Sequence, residues 1–291
     1  MARFVRHYLL ALQFFTRIPV TGGLAAWVGF SPDMQRASLA HFPGVGLLLG
    51  LLQAALALLL VWALPYTHYA PLLVVVLTMA WGVWLTGALH EDGLADVADG
   101  LGGSADRARA LEIMKDSRVG AYGVIAIVLA LLLRAALLAM LASLGLAALL
   151  GALVLGAVAS RYAALWVVRV LPNVGRAETS KSRGMAAQIS GASLLAGGLW
   201  CVTAALLAVL TQEWLAQGTA MGGADWGLLP PAQWMSALLV ALLAAALVWW
   251  RLVRWFDRRL QGFTGDCLGA TQVLSELAFY LGLIFGWGLG A

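Results

Sequence analysis

His90-Glu91-Asp92-Gly93-Leu94-Ala95-Asp96-Val97-Ala98-Asp99-Gly100, followed shortly by Met114-Lys115-Asp116-Ser117-Arg118-Val119-Gly120, interrupts a chain that is otherwise almost continuously apolar. The whole sequence holds 14 acidic residues, and seven of them (Glu91, Asp92, Asp96, Asp99, Asp106, Glu112 and Asp116) fall inside this stretch. Carboxylates gathered at the end of a hydrophobic segment are costly unless they bind a cation or reach water. Asp92, Asp96 and Asp99 are spaced i, i+4 and i+7, which puts them on one stripe of a helix. Three like charges on a stripe repel, and a divalent cation removes that repulsion; hard carboxylate oxygens suit Mg²⁺ or Mn²⁺. A solvated acidic loop between two membrane helices is the plainer reading. The spacing and the clustered glycines favour a metal–phosphate site.

Working outward, 62% of the 291 residues are hydrophobic and 11% charged, against about 25% charged in soluble domains; the mean hydropathy is +0.89. The expected fold is all-α: one polytopic membrane domain over 1–291. Apolar runs near 43–64, 70–89, 119–142, 146–171, 190–210, 236–256 and 271–290 are each about the 20 residues a bilayer requires. Residues 1–20, basic and then apolar, read as an interfacial helix, because Thr16-Arg17-Ile18-Pro19 follows Phe15 where a signal peptide would carry a cleavage site. Lys and Arg fall before the first run, in 90–118, around 169–183 and around 251–259, and are missing from 65–69, 143–145 and 211–235. That alternation predicts about seven transmembrane helices, a cytoplasmic N-terminus, and 90–118 as a cytoplasmic acidic active-site segment. The net charge of +4 is thus a topology signal rather than a nucleic-acid footprint. Cys201 and Cys267 form no disulfide or metal-binding pattern.

Further polar groups stand out. Arg134 and Arg161 lie inside predicted spans, where an ionisable side chain is functional by default. The fork of Arg161 matches phosphate oxygens, and an internal pair with Glu276 is the competing reading; Arg134 is the weaker candidate. The loop Thr179–Met185, with Lys181 and Arg183, suits an anionic ligand or an ordinary cytoplasmic loop. Gly262-Phe263-Thr264-Gly265-Asp266-Cys267 offers backbone amides to phosphate and one carboxylate to a metal, or else a helix cap by Thr264 or Asp266. His90 adjoins the carboxylates and is placed to orient one. The four histidines show no zinc spacing.

His90–Gly100, Met114–Gly123 and Thr264–Ala270, together with Phe15-Thr16-Arg17-Ile18-Pro19-Val20 and Phe42-Pro43-Gly44-Val45-Gly46, closely resemble the cobalamin synthase family, the adenosylcobinamide-GDP ribazoletransferases, from about residue 8 to 280. The resemblance implies an integral membrane enzyme of the prokaryotic cytoplasmic (inner) membrane. It also implies a requirement for Mg²⁺, and transfer of the adenosylcobinamide-phosphate moiety to α-ribazole or its 5′-phosphate with release of GMP. The phosphoryl chemistry fits the residues. A ribose hydroxyl attacks a diphosphate, which calls for a metal, for cations on the remaining oxygens, and for a proton acceptor. Asp92, Asp96 and Asp99 are the expected metal ligands, with Asp116 or Asp266 completing the shell. Glu91, Asp116 and Asp266 are the catalytic carboxylates. Lys115, Arg118, Arg161, Arg183 and Thr264 are the substrate-binding set. The expected partners are the two substrates and the lipid bilayer, with a homo-oligomer or a complex with other corrinoid-pathway enzymes.

Two other readings compete. Asp96-x-x-Asp99-Gly100 matches the opening of the CDP-alcohol phosphotransferase signature, but Gly103-Ser104 stands where that signature has Ala-Arg, and Ser117 and Ala121 stand where it has aspartates. Membrane prenyltransferases also use aspartates with Mg²⁺. A transporter lined by Arg134, Arg161 and Glu276 would need a midplane site between repeats, and no repeat is visible.

Overall fold

A computed structural model of the chain describes residues 2–65, 67–175, 189–220 and 231–288. Among them the chain forms twelve α-helices: α1 (Ala2–Phe15), α2 (Gly22–Val28), α3 (Pro32–Ser38), α4 (Phe42–Ala63), α5 (Ala70–Thr86), α6 (Leu89–Gly103), α7 (Arg107–Ile113), α8 (Ala121–Leu144), α9 (Leu146–Val170), α10 (Gly191–Ala220), α11 (Pro231–Leu260) and α12 (Gly265–Gly288). The only strand-like pairing among the described residues is one parallel bridge between Asn173 and Phe263. The all-α, multi-pass expectation holds. Among the described residues six helices are long and apolar enough to cross a bilayer, or seven if the bent pair α5–α6 counts as one broken span.

The bundle is built around α9 and α12, whose residues are mostly buried, while α8 turns Val124, Ile125, Val128, Leu129, Leu132 and Leu133 outward. In a membrane such an outward apolar face meets lipid, and small residues bring helices together. On α4, a Cβ at Gly46 would lie 2.4 Å from the Ala157 carbonyl of α9, and one at Gly50 would lie 2.8 Å from the Leu153 carbonyl. On α12, Gly282 and Gly286 meet Ala241 and Ala237 of α11 in the same way.

The second span departs from the sequence reading. The apolar run 70–89 predicts one continuous helix that ends at the acidic stretch. Instead α5 stops at Thr86 and α6 starts at Leu89, at 85° to it. Gly87 and Ala88 both take left-handed backbone, with φ of 67° and 59°, and two such residues in a row turn the chain sharply. The N-terminal segment seals the break. The Arg17 amide donates to the Leu85 carbonyl at 2.7 Å, and the Arg17 side chain fills the space a Cβ at Gly87 would need. The acidic segment is therefore a helix built into the bundle. The 1–20 segment likewise does more than lie on a surface: Leu10, Ala11, Leu12 and Phe15 of α1 are buried.

Candidate active site

α6 carries the acidic stretch across the start of α12 at glycine contacts. A Cβ at Gly93 would lie 2.8 Å from the Asp266 carbonyl oxygen and 3.0 Å from its Cα; one at Gly269 would lie 3.0 Å from the His90 carbonyl. Backbone against backbone, this crossing places Asp266, at the start of α12, beside the acidic face of α6. The start of α12 is itself anchored. Val174 donates to the Phe263 carbonyl and Phe263 to the Pro172 carbonyl, both at 2.9 Å, so the chain leaving α9 holds the chain entering α12. The Thr264 hydroxyl donates to Asp266 Oδ2 at 3.1 Å.

The three aspartates of the predicted stripe divide between two neighbours. Asp92 is exposed and Asp96 half-buried. Asp96 lies in the field of Asp266, Asp92 and Asp99, with Asp266 the largest contributor, and Asp266 in turn feels Asp92. Asp99 is buried, and the structure gives it another task. Its carboxylate accepts from the Gly120 amide at 2.7 Å and the Gly123 amide at 2.8 Å, capping the start of α8 from the adjacent helix where Gly120 has no side chain to do so. Asp99→Ala would strand both donors and is expected to cost about 1–3 kcal/mol, read as a lower thermal midpoint in detergent; a wild-type midpoint would show the cap to be dispensable.

The other expected catalytic carboxylates have partners too. Glu91 is buried, with Oε1 accepting from Arg134 at 3.0 Å, and the second arm of Arg134 reaches Glu276 at 2.7 Å. The internal pair expected between Arg161 and Glu276 thus falls to Arg134. Asp116 sits on the exposed loop between α7 and α8, where hydrogen bonds from the Arg118 side chain hold its carboxyl down to about 2; the closest of these is 2.5 Å. Lys115 and Arg118 are exposed on the same loop, just before the α8 start that Asp99 caps. Arg161 is buried away from the surface aspartates. It donates to its own helix at the Ala157 carbonyl, 2.9 Å away, and lies 5.6 Å over the Phe42 ring. His90 is buried as well, stacked on Phe42 at 5.8 Å, so it orients no surface carboxylate. Arg183 falls outside the described residues.

Arg134, the weaker of the two intramembrane arginines in the sequence, thus holds two carboxylates. Two further side chains that the sequence does not single out hold this site. Arg259 donates to the carbonyls of Leu101, at 3.2 Å, and Ser104, completing the C-terminal end of α6. Arg107 donates to the Leu260 carbonyl at 2.7 Å, which ties the same corner back to α11. Loop arginines look alike in sequence, and nothing there distinguishes a helix fastener from a topology determinant.

One end of the bundle therefore presents Asp92, Asp96 and Asp266 together, hard-oxygen donors whose charges repel. The sequence matches the cobalamin-5-phosphate synthase family over residues 7–284. The chain belongs to that family. It is 57% identical to an adenosylcobinamide-GDP ribazoletransferase of Albidiferax ferrireducens, across 98% of this chain and 100% of the relative. Proteins of the same name from Polaromonas naphthalenivorans and Vibrio cholerae are 49% and 38% identical, covering 97% and 95% of this chain and 99% and 92% of theirs. No solved structure matches it. In this cobalamin-5-phosphate synthase family member the segments that carried the resemblance converge. Phe15 stacks on Phe42 at 4.0 Å, Phe42 on His90, and Gly93 on Asp266. Four stretches distant in sequence thus build one support under the aspartates.

Proposed function

We propose that the chain transfers the adenosylcobinamide-phosphate moiety of adenosylcobinamide-GDP to α-ribazole or its 5′-phosphate, releasing GMP, at the end of the bundle where α6 crosses α12. The observation that carries this reading is the meeting of Asp92, Asp96 and Asp266 at that crossing, in a chain whose relatives are named for this transfer. The loop charges argue that this end faces the cytoplasm, and the bacterial relatives argue for the inner membrane of a prokaryote.

A divalent cation fits the donor set. Asp92 and Asp96 are one helical turn apart, the first exposed and the second half-buried, and repel each other and Asp266. Among the described residues no three His, Cys, Asp or Glu side chains are drawn together as a finished metal cage. What supports the cation is the pair Asp92 and Asp96, because Mg²⁺ usually takes one or two carboxylates and completes its shell with water and substrate phosphates. Asp92 and Asp96 would hold it, and bound there it would neutralise charge on the diphosphate oxygens. Asp99 is engaged with the α8 amides instead.

The chain's own residues divide the rest. Asp266, which accepts from Thr264 at the crossing, would take the proton of the attacking ribose hydroxyl as the new P–O bond forms and the bond to GMP breaks. Lys115 and Arg118, exposed on the loop before α8, would bind phosphate oxygens. The start of α12 also offers backbone amides, and a helix N-terminus favours an anion. Glu91 and Arg161 take no part in contact with substrate.

Purified, detergent-solubilised protein incubated with adenosylcobinamide-GDP, α-ribazole phosphate and Mg²⁺ is expected to release GMP, and removal of either the acceptor or, by chelation, the metal is expected to stop it. Absence of GMP from folded protein would discard the substrate assignment, and CDP-alcohol and prenyl-diphosphate substrates would then be tested. Release that survives chelation would discard the metal.

A further inference from the structure

α6 is an unusual helix to hold in an apolar bundle. Its 15 residues include Glu91, Asp92, Asp96, Asp99 and four glycines; Leu94, Ala95, Val97 and Leu101 are buried, but lipid supplies no hydrophobic drive between helices. Three polar fastenings add to that packing. Two of them, Asp99 on the α8 amides and Arg259 on the carbonyls of Leu101 and Ser104, hold its second half. The third lies deeper, where Arg134, about midway along α8, spends one arm on Glu91 of α6 and the other on Glu276 of α12.

That third fastening is fully internal. Glu91, Arg134, Arg161 and Glu276 are 8%, 9%, 4% and 6% exposed, and the two arginines balance the two glutamates. Glu91 Oε2, Arg134 Nε, Arg161 Nε and His90 Nε2 have no hydrogen-bond partner among the described residues. All four side chains border one cavity of about 30 Å³, which has room for about two waters with polar atoms of both kinds to bind them. A buried ion pair of this sort gives little net stability, because desolvation offsets the attraction. Intramembrane charges mark function more often than strength. The network is also placed to act through its neighbour: Glu91 and Asp92 are consecutive, Glu91 buried against Arg134 and Asp92 exposed beside Asp96.

We propose that Glu91, Arg134 and Glu276, with Arg161 in the same chamber, form a positioning device that fixes the rotation and depth of α6 and so sets Asp92 and Asp96 against Asp266. The proposal rests on the transferase reading above. Arg134 is the positioning residue at its centre, since its fork alone spans both carboxylates.

The test compares wild type with two variants. Glu91→Gln combined with Arg134→Gln removes one charge of each sign and leaves Glu276 facing Arg161, which it already attracts. Arg134→Lys keeps the charge and loses the fork. Three quantities are read on each: the thermal midpoint in detergent, kcat and KM for adenosylcobinamide-GDP, and backbone hydrogen exchange by mass spectrometry over 89–103. Both variants are expected to fold. Their kcat should fall by about 10²-fold, the scale of an ångström-sized misplacement of reacting groups, while KM stays near wild type and exchange in α6 quickens without a matching change in α9. Wild-type kcat in either folded variant overturns the proposal. So does a loss of kcat with unchanged exchange in α6, which would put Arg134 in contact with substrate instead. Unfolding of both variants overturns it too, by making the network a requirement of the fold rather than of the site's alignment. Should wild type itself release no GMP, the transferase reading fails, and the exchange comparison still decides whether the network holds α6.

Discussion

Asp96→Asn is expected to abolish nearly all turnover while leaving the protein as stable as wild type or slightly more so. The two effects share one cause. Asp96 is half-buried in the combined field of Asp266, Asp92 and Asp99, so its negative charge is held at a cost in the free protein. Asparagine is nearly the same size and lacks the charge, so the substitution relieves repulsion without opening a cavity. The charge is what the reaction uses. With the amide in its place, the site loses a hard-oxygen donor for the cation that neutralises the diphosphate, and removing one group that stabilises transition-state charge typically costs about 10²–10³-fold in kcat. The measurement pairs GMP release across a Mg²⁺ titration with a thermal midpoint. Lost turnover beside a maintained or raised midpoint identifies a residue kept for chemistry at the expense of stability. Wild-type turnover in folded Asp96→Asn would sink the metal assignment. A lowered midpoint would show that Asp96 has a structural partner instead.

The contrast with Asp99 shows how far the sequence could be read. Residues at i, i+4 and i+7 do share a helix face, and that much was legible. Seven residues are also about 10 Å of helix, and over that distance the neighbour changes: Asp92 and Asp96 lie by the start of α12, Asp99 by the start of α8. Spacing along one helix carries no information about which helix comes next to it. The bend at Gly87-Ala88 was hidden for a related reason. The apolar run continues through it, and hydropathy cannot register a change of backbone handedness that Arg17, some seventy residues earlier, helps to seal. The seven apolar runs, by contrast, were plain, because a bilayer imposes length and composition on each segment independently of its neighbours. Arg134 falls between these cases. Its presence in a span marked it as functional, but its partners Glu91 and Glu276 come from two other helices, and only the packing of α6 and α12 against α8 brings them within reach.

Gly93→Ala is expected to cost about 10²-fold in turnover and to lower the thermal midpoint. In a free helix alanine is favoured over glycine by about 1 kcal/mol, so the substitution would stabilise α6 on its own. At the crossing the new Cβ would stand 2.8 Å from the Asp266 carbonyl oxygen and 3.0 Å from its Cα. Both obstacles are backbone, which has no rotamer to change, so the helices must separate or slide. Overpacking of this kind costs about 1–3 kcal/mol, which outweighs the gain in propensity and lowers the thermal midpoint. The larger effect is on chemistry, because the displaced backbone is that of Asp266 and the displacing residue follows Asp92 in the chain. A shift of about an ångström between groups that must act together is worth about 10²-fold in rate. Gly269→Ala on the facing helix meets the His90 carbonyl at 3.0 Å and the Gly93 Cα at 3.3 Å, a looser fit, so its losses should be smaller in the same direction. Gly103→Ala, at the far end of α6 with only Ile113 Cδ1 near, at 3.6 Å, should keep both turnover and midpoint. That order, Gly93 worst, then Gly269, then Gly103 near wild type, follows from backbone clearance alone. Equal losses at Gly93 and Gly103 would mean that helix flexibility, not the closeness of α6 to α12, is what these glycines supply.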